Sequence, residues 1–210
     1  MSVTMAAQAG EWAGYINEEF SFTEFPPGAR ILDVGFGNGE QMRRMATRGC
    51  HAVGLDLDAQ LVARGRAGGL AVCRSQAEAL PFRSATFDGL VCKVVIPYTD
   101  EARAVDEIAR VLRPGGTARV SYHGSGYFLR YLLTDANWKR RLYGLRTIVN
   151  TWLYALTGRR LGGFWGDTVY QSEGRLDRYY RQSGLEVVER HPAPHFAGGP
   201  VFIYHVLRRR

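Results

Sequence analysis

Ile31-Leu-Asp-Val-Gly-Phe-Gly-Asn-Gly-Glu40 is the stretch on which the fold turns. Residues 29–34 form an apolar run of strand type, the glycines at 35, 37 and 39 make a sharp turn, and residues 40–48 take up helical spacing. Glycine suits such a turn because the backbone must bend tightly and let a ligand approach closely. Asp33 falls at the carboxyl end of the strand, the edge where open α/β sheets hold their ligands. A second acid, Asp56, follows 23 residues later near the end of the next apolar run, residues 52–57. A carboxylate there can accept hydrogen bonds from two vicinal ribose hydroxyls, which points to a nucleoside ligand.

The same alternation continues outward. Asp58 caps a helix that runs through Arg66, and further strands are expected at 70–74, 87–92 and 117–122. A helix over 101–112 is ended by Pro114-Gly115-Gly116. Short apolar strands alternating with helices predict a parallel sheet covered on both faces. After Tyr122 the rhythm breaks into an aromatic- and arginine-rich stretch, 124–170, of helical spacing. It resumes with a helix at 172–183 and strands at 185–190 and 201–207, the last preceded by the Gly198-Gly199-Pro200 turn. The expected architecture is a single α/β domain over 1–210 with a helical insertion after strand five and an antiparallel closing pair.

Composition bounds the chemistry. The chain has 210 residues, 46% of them apolar, and a net charge of +7, which suits one globular domain and excludes a disordered chain. Residues 124–181 hold ten Lys/Arg against four acids, so most of the excess charge sits in one stretch. That concentration suits a solvated helix face, an anionic acceptor or nucleic acid. The cysteines, Cys50, Cys73 and Cys92, are expected to be unpaired, two of them in buried strands. The opening MSVTMAAQAGEW lacks the pattern of a secretory leader, and no apolar run is long enough to span a bilayer, so a cytoplasmic location is expected.

The turn and the two acids fit either a nicotinamide dinucleotide or S-adenosylmethionine. The spacing is GxGxG rather than GxGxxG, and no Tyr-x-x-x-Lys pair exists, which counts against the dinucleotide. Four segments in order, ILDVGFGNG (31–39), GLDLD (54–58), QAEALPFRSATFD (76–88) and ARVLRPGG (109–116), resemble the class I S-adenosylmethionine-dependent methyltransferases, in particular the small-molecule group called type 11. That resemblance implies a Rossmann-like, doubly wound sheet of seven strands with the last antiparallel. It places Gly35, Phe36, Gly37 and Gly39 at the methionine part of the cofactor, with Asp33 serving its amino end. It puts Asp56 on the ribose and Leu57 on the adenine face. Gln76 and Ala77 stand where relatives carry an acid and a small residue for the adenine amino group. Cys92 would lie near the sulfonium, and the neighbouring Lys93 is unusual beside a cationic sulfur.

Methyl transfer needs alignment first, and a general base only where the acceptor must lose a proton. His123, directly after strand five, and Tyr98, in VVIPYTD, are the candidate catalytic side chains. Within the insertion, Tyr127, Arg130, Tyr131 and Trp152 are candidate acceptor contacts, the aromatics suiting a lid over a hydrophobic or aromatic metabolite. No metal is expected, since the histidines lack ligand spacing. No DNA substrate is expected, because CKVV replaces the motif of amino-methylating nucleic-acid enzymes after strand four. An RNA- or protein-modifying enzyme, or an inactive S-adenosylmethionine-binding partner subunit, are the alternatives.

Overall fold

Near-continuous apolar runs in the first strands require cover on both sheet faces, and that is how the chain folds. The computed structural model describes residues 20–166 and 168–210; the segment read for a leader therefore lies outside the described residues. Strands β1 (Arg30–Val34), β2 (His51–Asp56), β3 (Val72–Arg74), β4 (Phe87–Lys93) and β5 (Leu112–His123) pair in parallel. With β6 (Leu185–His191) and β7 (Phe202–Arg209) they form one sheet in the order β3-β2-β1-β4-β5-β7-β6. β7 is antiparallel to both of its neighbours, β5 and β6. The expected fold class is the observed one.

Around the sheet lie α1 (Glu40–Thr47), α2 (Ala59–Ala67), α3 (Glu101–Val111), α4 (Ser125–Thr134), α5 (Trp138–Thr157) and α6 (Glu173–Gln182). Side-chain alternation in β1 sends Ile31 into one core and Leu32 and Val34 into the other. Asp58 caps α2 as the sequence indicates, accepting from the Gln60 amide at 2.7 Å. Asp100 does the same for α3, from the Arg103 amide at 3.3 Å.

Two features differ from the sequence reading. Strand β5 starts earlier than expected: Leu112 already pairs with Phe87, and the next pair is Thr117 with Gly89. The Pro114-Gly115-Gly116 turn is thus an excursion within the strand, a bulge made possible by the positive φ of Gly115 (78°). The second feature is a buried charge. Glu101, fully buried at the start of α3, meets Arg175 of α6 at 3.0 Å and accepts from the Gln171 side-chain amide at 2.8 Å. Arg160 approaches the same carboxylate at 3.7 Å, so one acid ties α3 to α6 and to the chain leading into it.

Between β5 and α6 the chain forms α4, α5 and a short 3-10 turn, Gly163–Trp165. The two helices approach closely at Gly144, where a Cβ would lie 2.7 Å from the Phe128 carbonyl oxygen. Cys50 and Cys92 are buried, Cys73 is half-buried, and none is bridged. Among the described residues no helix is long and apolar enough to cross a membrane.

Candidate functional site

The carboxyl ends of β1, β2 and β4 converge on the glycine turn. Gly35, Gly37 and Gly39 all have positive φ (73°, 56° and 76°), a region where a Cβ is strained. They differ in their surroundings. A Cβ on Gly35 would collide with Val95 Cγ2 at 2.3 Å, and one on Gly39 with Leu70 Cδ1 at 2.4 Å. At Gly37 the nearest atom would be 4.0 Å away, so its open side faces the space left above the turn. The Gly35 and Phe36 amides donate to the Leu55 carbonyl at 2.8 and 3.1 Å, which pins the turn to β2.

Asp56 holds the same turn from the other side. Its carboxylate accepts from the Gly37 amide at 3.2 Å and from the Asp58 amide at 3.0 Å, one bond to each oxygen. Each oxygen keeps a second lone pair for a ligand. Next to it Leu57 leaves 63% of its surface exposed, a large apolar side chain beside a polar edge.

Asp33 is the most telling group. It is buried, and its Oδ2 has no hydrogen-bond partner among the described residues. Burial, reinforced by the Asp56 charge, pushes its carboxyl up to about 7, with Lys93 acting weakly against that. A buried carboxylate without a partner is costly unless something cationic or donating completes it. The orphaned oxygen, the open cradle at Gly37 and the half-satisfied Asp56 together fit S-adenosylmethionine, which brings an ammonium group to one acid and a ribose diol to the other.

Not every residue of the sequence-derived set turns toward this space. The Phe36 ring is buried beneath the turn, packed against Gly54 and Gly65, so only its backbone faces the ligand edge. Ala77 is buried in the core, while Gln76 beside it is exposed. The Cys92 thiol also lies in the core, near the Val95 and Ile96 amides, and burial pushes it up to about 12. Alternation along β4 thus points the Cys92 side chain inward, away from the ligand edge. Lys93 is exposed and sits 5.4 Å from the centre of the Phe22 ring.

Val94, which sequence reading did not single out, follows β4 with φ 56° although it is β-branched. Such backbone is strained and gathers at ligand sites. Its amide donates to the Ser121 carbonyl at 2.9 Å, which holds the strained turn against β5. Nothing in a single sequence signals this, because valine is an ordinary strand residue.

Above the ends of β4 and β5 lies a cluster of tyrosines. Tyr98, on the 3-10 turn Ile96–Tyr98, is half exposed, and its hydroxyl, pushed above the usual phenol range by burial, lies near that of Tyr143 on α5. Tyr127 and Tyr131 of α4 are buried, with hydroxyls 3.1 Å apart, and burial pushes both above the usual phenol range. His123 stacks on Tyr127 with ring centres 3.7 Å apart and 12° between planes. It is buried, its Nδ1 lacks a partner among the described residues, and burial lowers it to about 3. Arg130 is half-buried on α4. Trp152 does not join the cluster; it is exposed to solvent on α5. Tyr143 of α5, an aromatic of the same insertion that was not among the candidate contacts, does. Among the described residues no group of acids, histidines and cysteines is arranged to hold a metal ion.

Comparison with known proteins agrees with this geometry. Residues 32–120 match a family model described as a methyltransferase domain. A malonyl-[acyl-carrier protein] O-methyltransferase of Enterobacter lignolyticus is 41% identical over 91 residues, 42% of this chain and 36% of that protein. A ubiquinone biosynthesis O-methyltransferase of Xylella fastidiosa is 35% identical over 115 residues, 51% of this chain and 45% of the relative. The matched region thus spans less than half the length of these relatives. A crystal structure of an S-adenosylmethionine-dependent methyltransferase from Mesorhizobium loti superposes with a TM-score of 0.65 at 19% identity, over 97% of this chain and 98% of that one.

Proposed function

We propose that the chain is a class I S-adenosylmethionine-dependent methyltransferase, a reading supported by the match of residues 32–120 to a methyltransferase domain model and by the shared fold, and that it moves a methyl group to an oxygen or nitrogen of a small hydrophobic or aromatic acceptor. The observation that carries the cofactor half is the orphaned, buried carboxylate of Asp33 beside the open glycine turn. Asp33 would hold the amino end of S-adenosylmethionine, Gly37 its methionine backbone, Asp56 its ribose diol and Leu57 its adenine face. When bound, that cofactor supplies a sulfonium methyl that is already strongly electrophilic.

What remains for the protein is positioning. Alignment of acceptor and methyl at about 3–3.5 Å supplies much of the rate in such displacements. The hydroxyls of Tyr98, Tyr127, Tyr131 and Tyr143 offer neutral donors and acceptors at the end of β4 and β5, on an aromatic wall. His123, lowered to about 3, stays neutral at ordinary pH. A neutral imidazole can accept a hydrogen bond from an acceptor hydroxyl and fix its lone pair. It cannot retain the proton, which leaves to water. His123 is thus a positioning group in this reading. The O-methyltransferase relatives favour oxygen as the attacking atom.

The test is a calorimetric titration with S-adenosylmethionine, S-adenosylhomocysteine and NADH, followed by methyl-labelled S-adenosylmethionine with a panel of phenols and carboxylates. Binding of the first two ligands and label transfer to a panel member is the expected result. Binding without transfer to any acceptor would support a non-catalytic partner subunit. Binding of NADH alone would overturn the assignment of the site.

A further inference from the structure

Helix α5 is packed inside out. Its buried residues are small or polar: Gly144, Thr147, Asn150 and Thr151. They are satisfied by the neighbouring chain. Asn150 donates to the Gly166 carbonyl at 2.8 Å and accepts from the Leu161 amide at 2.8 Å. The Thr151 hydroxyl accepts from the Tyr170 amide at 3.0 Å. At 3.6 residues per turn, positions 138, 145, 149, 152 and 156 fall on the side away from these. There Trp138, Leu145, Trp152 and Leu156 are 67%, 43%, 66% and 81% exposed. Seven of the ten large apolar side chains exposed among the described residues lie in 133–165. Tyr143 and Ile148 add partly buried apolar contacts on the inner side, while the tryptophans and leucines of the outer side stand in solvent, an unfilled partner face among the described residues.

Charge says what that partner is. Residues 136–166 contain six Lys/Arg and no acid. Arg140 and Arg160 reach Asp135 and Glu101 at 3.4 and 3.7 Å. Lys139, Arg141 and Arg159 are exposed, and Arg146 stacks 4.6 Å from the centre of the exposed Phe164 ring. Lys139 and Arg146 flank one side of the apolar stripe and Arg141 the other. A second copy of the chain would bring like charges together across this face. A nucleic acid would use flat stacking rings, but Leu145 and Leu156 offer aliphatic branches, which suit hydrocarbon. Tryptophan with flanking arginine and lysine is the composition that settles at the headgroup level of a bilayer.

We propose that the outward face of α5 docks in the plane of an anionic membrane surface, with Trp138, Leu145, Trp152 and Leu156 entering the headgroup–acyl boundary and Lys139, Arg141, Arg146 and Arg159 meeting anionic headgroups. The helix lies on the bilayer and does not cross it. Because α4 and α5 leave the sheet at the end of β5, docking brings the tyrosine cluster, which lies on the inner side of α5, to within about one helix diameter of the lipid. The acceptor is then an amphipathic molecule drawn from the membrane; this last step rests on the methyl-transfer reading, whereas docking does not.

The experiment is co-sedimentation of the full chain with vesicles of phosphatidylcholine alone and with about 30 mol% phosphatidylglycerol. Expected is strong retention on the anionic vesicles only, weakened by salt, and lowered at least about tenfold in the triple variant Trp138→Ser, Leu145→Ser, Leu156→Ser. S-adenosylmethionine titration of the same variant checks that the fold and cofactor site persist, so failure of docking and failure of the methyltransferase reading remain distinct. The charge variant Lys139→Gln, Arg141→Gln, Arg159→Gln should lose the preference for anionic lipid. Retention on neither vesicle, or retention unchanged in the triple variant, overturns the proposal. So does a dimer, or binding to single-stranded RNA, that the triple variant loses while vesicles bind neither form.

Discussion

Asp33 is where the site's chemistry becomes measurable. Its carboxyl lies near 7 when folded, against about 4 in an unfolded chain. The folded state therefore binds this proton more tightly. Asp33 contributes stability that is full below about pH 4 and lost as pH rises through 7. Asp33→Asn should accordingly stabilise the ligand-free protein at pH 8, by something on the order of a few kcal/mol, in urea titrations. It should also weaken S-adenosylmethionine binding, because the ammonium group loses its counter-charge. In the natural chain affinity should rise as pH passes through about 7, with a proton released on binding. Calorimetry in two buffers of different ionisation enthalpy detects that proton, and equal apparent enthalpies would sink the assignment. Asp56→Ala should weaken binding by more than about 1 kcal/mol. Gly37→Val should abolish it, since the added Cβ enters the ligand's space on a backbone at φ 56°.

At the scale of elements, a buried ion pair adds to the apolar packing of Leu176 and Tyr180 in fixing how α6 and the chain before it sit on the sheet. Glu101 is fully buried between Arg175 and Gln171, so its removal leaves Arg175 without its carboxylate. Glu101→Ala should cost about 3 kcal/mol or more in urea unfolding. A loss of less than about 1 kcal/mol would mean water already reaches the pair. On the far side of α6, Glu173 meets the buried His205 at 3.0 Å, and His205 meets Tyr180 at 3.1 Å. Hydrogen bonding to His205 holds the Glu173 carboxyl below its usual range. That stability is present above the ordinary carboxylate range and lost as pH falls through the lowered folded value. Glu173→Gln should flatten the acid limb of the stability profile and leave the limb near 7 unchanged. Most element boundaries were legible to within two residues, because apolar periodicity and the cap at Asp58 are local signals. The early start of β5 was not, since Pro-Gly-Gly signals a turn equally well between elements or within a bulged strand.

For the whole molecule, the sheet order and the site's location predict coupling between ligand and fold. S-adenosylmethionine at about 100 times its Kd should add roughly 2.7 kcal/mol to stability, seen as a raised melting temperature, with no shift from NADH. An equal shift from NADH would contradict the ligand assignment. Part of the basic excess of residues 124–181 flanks the apolar stripe on α5, where Lys139 and Arg141 are exposed.

By itself the sequence determined the doubly wound sheet, the glycine turn and the two acids, for these rest on short-range patterns: strand alternation, helix caps and a turn only glycine tolerates. Tertiary structure alone decided which candidates face the ligand space. Phe36, Ala77 and Cys92 turn inward because strand alternation and helix packing place their side chains in the core. Tyr143 joins Tyr98, and Trp152 leaves the cluster, because α5 is oriented by its bonds to residues 161–170, contacts that no periodicity encodes. Burial likewise made His123 a neutral acceptor and pushed the Asp33 carboxyl up, since desolvation is a property of the packed interior.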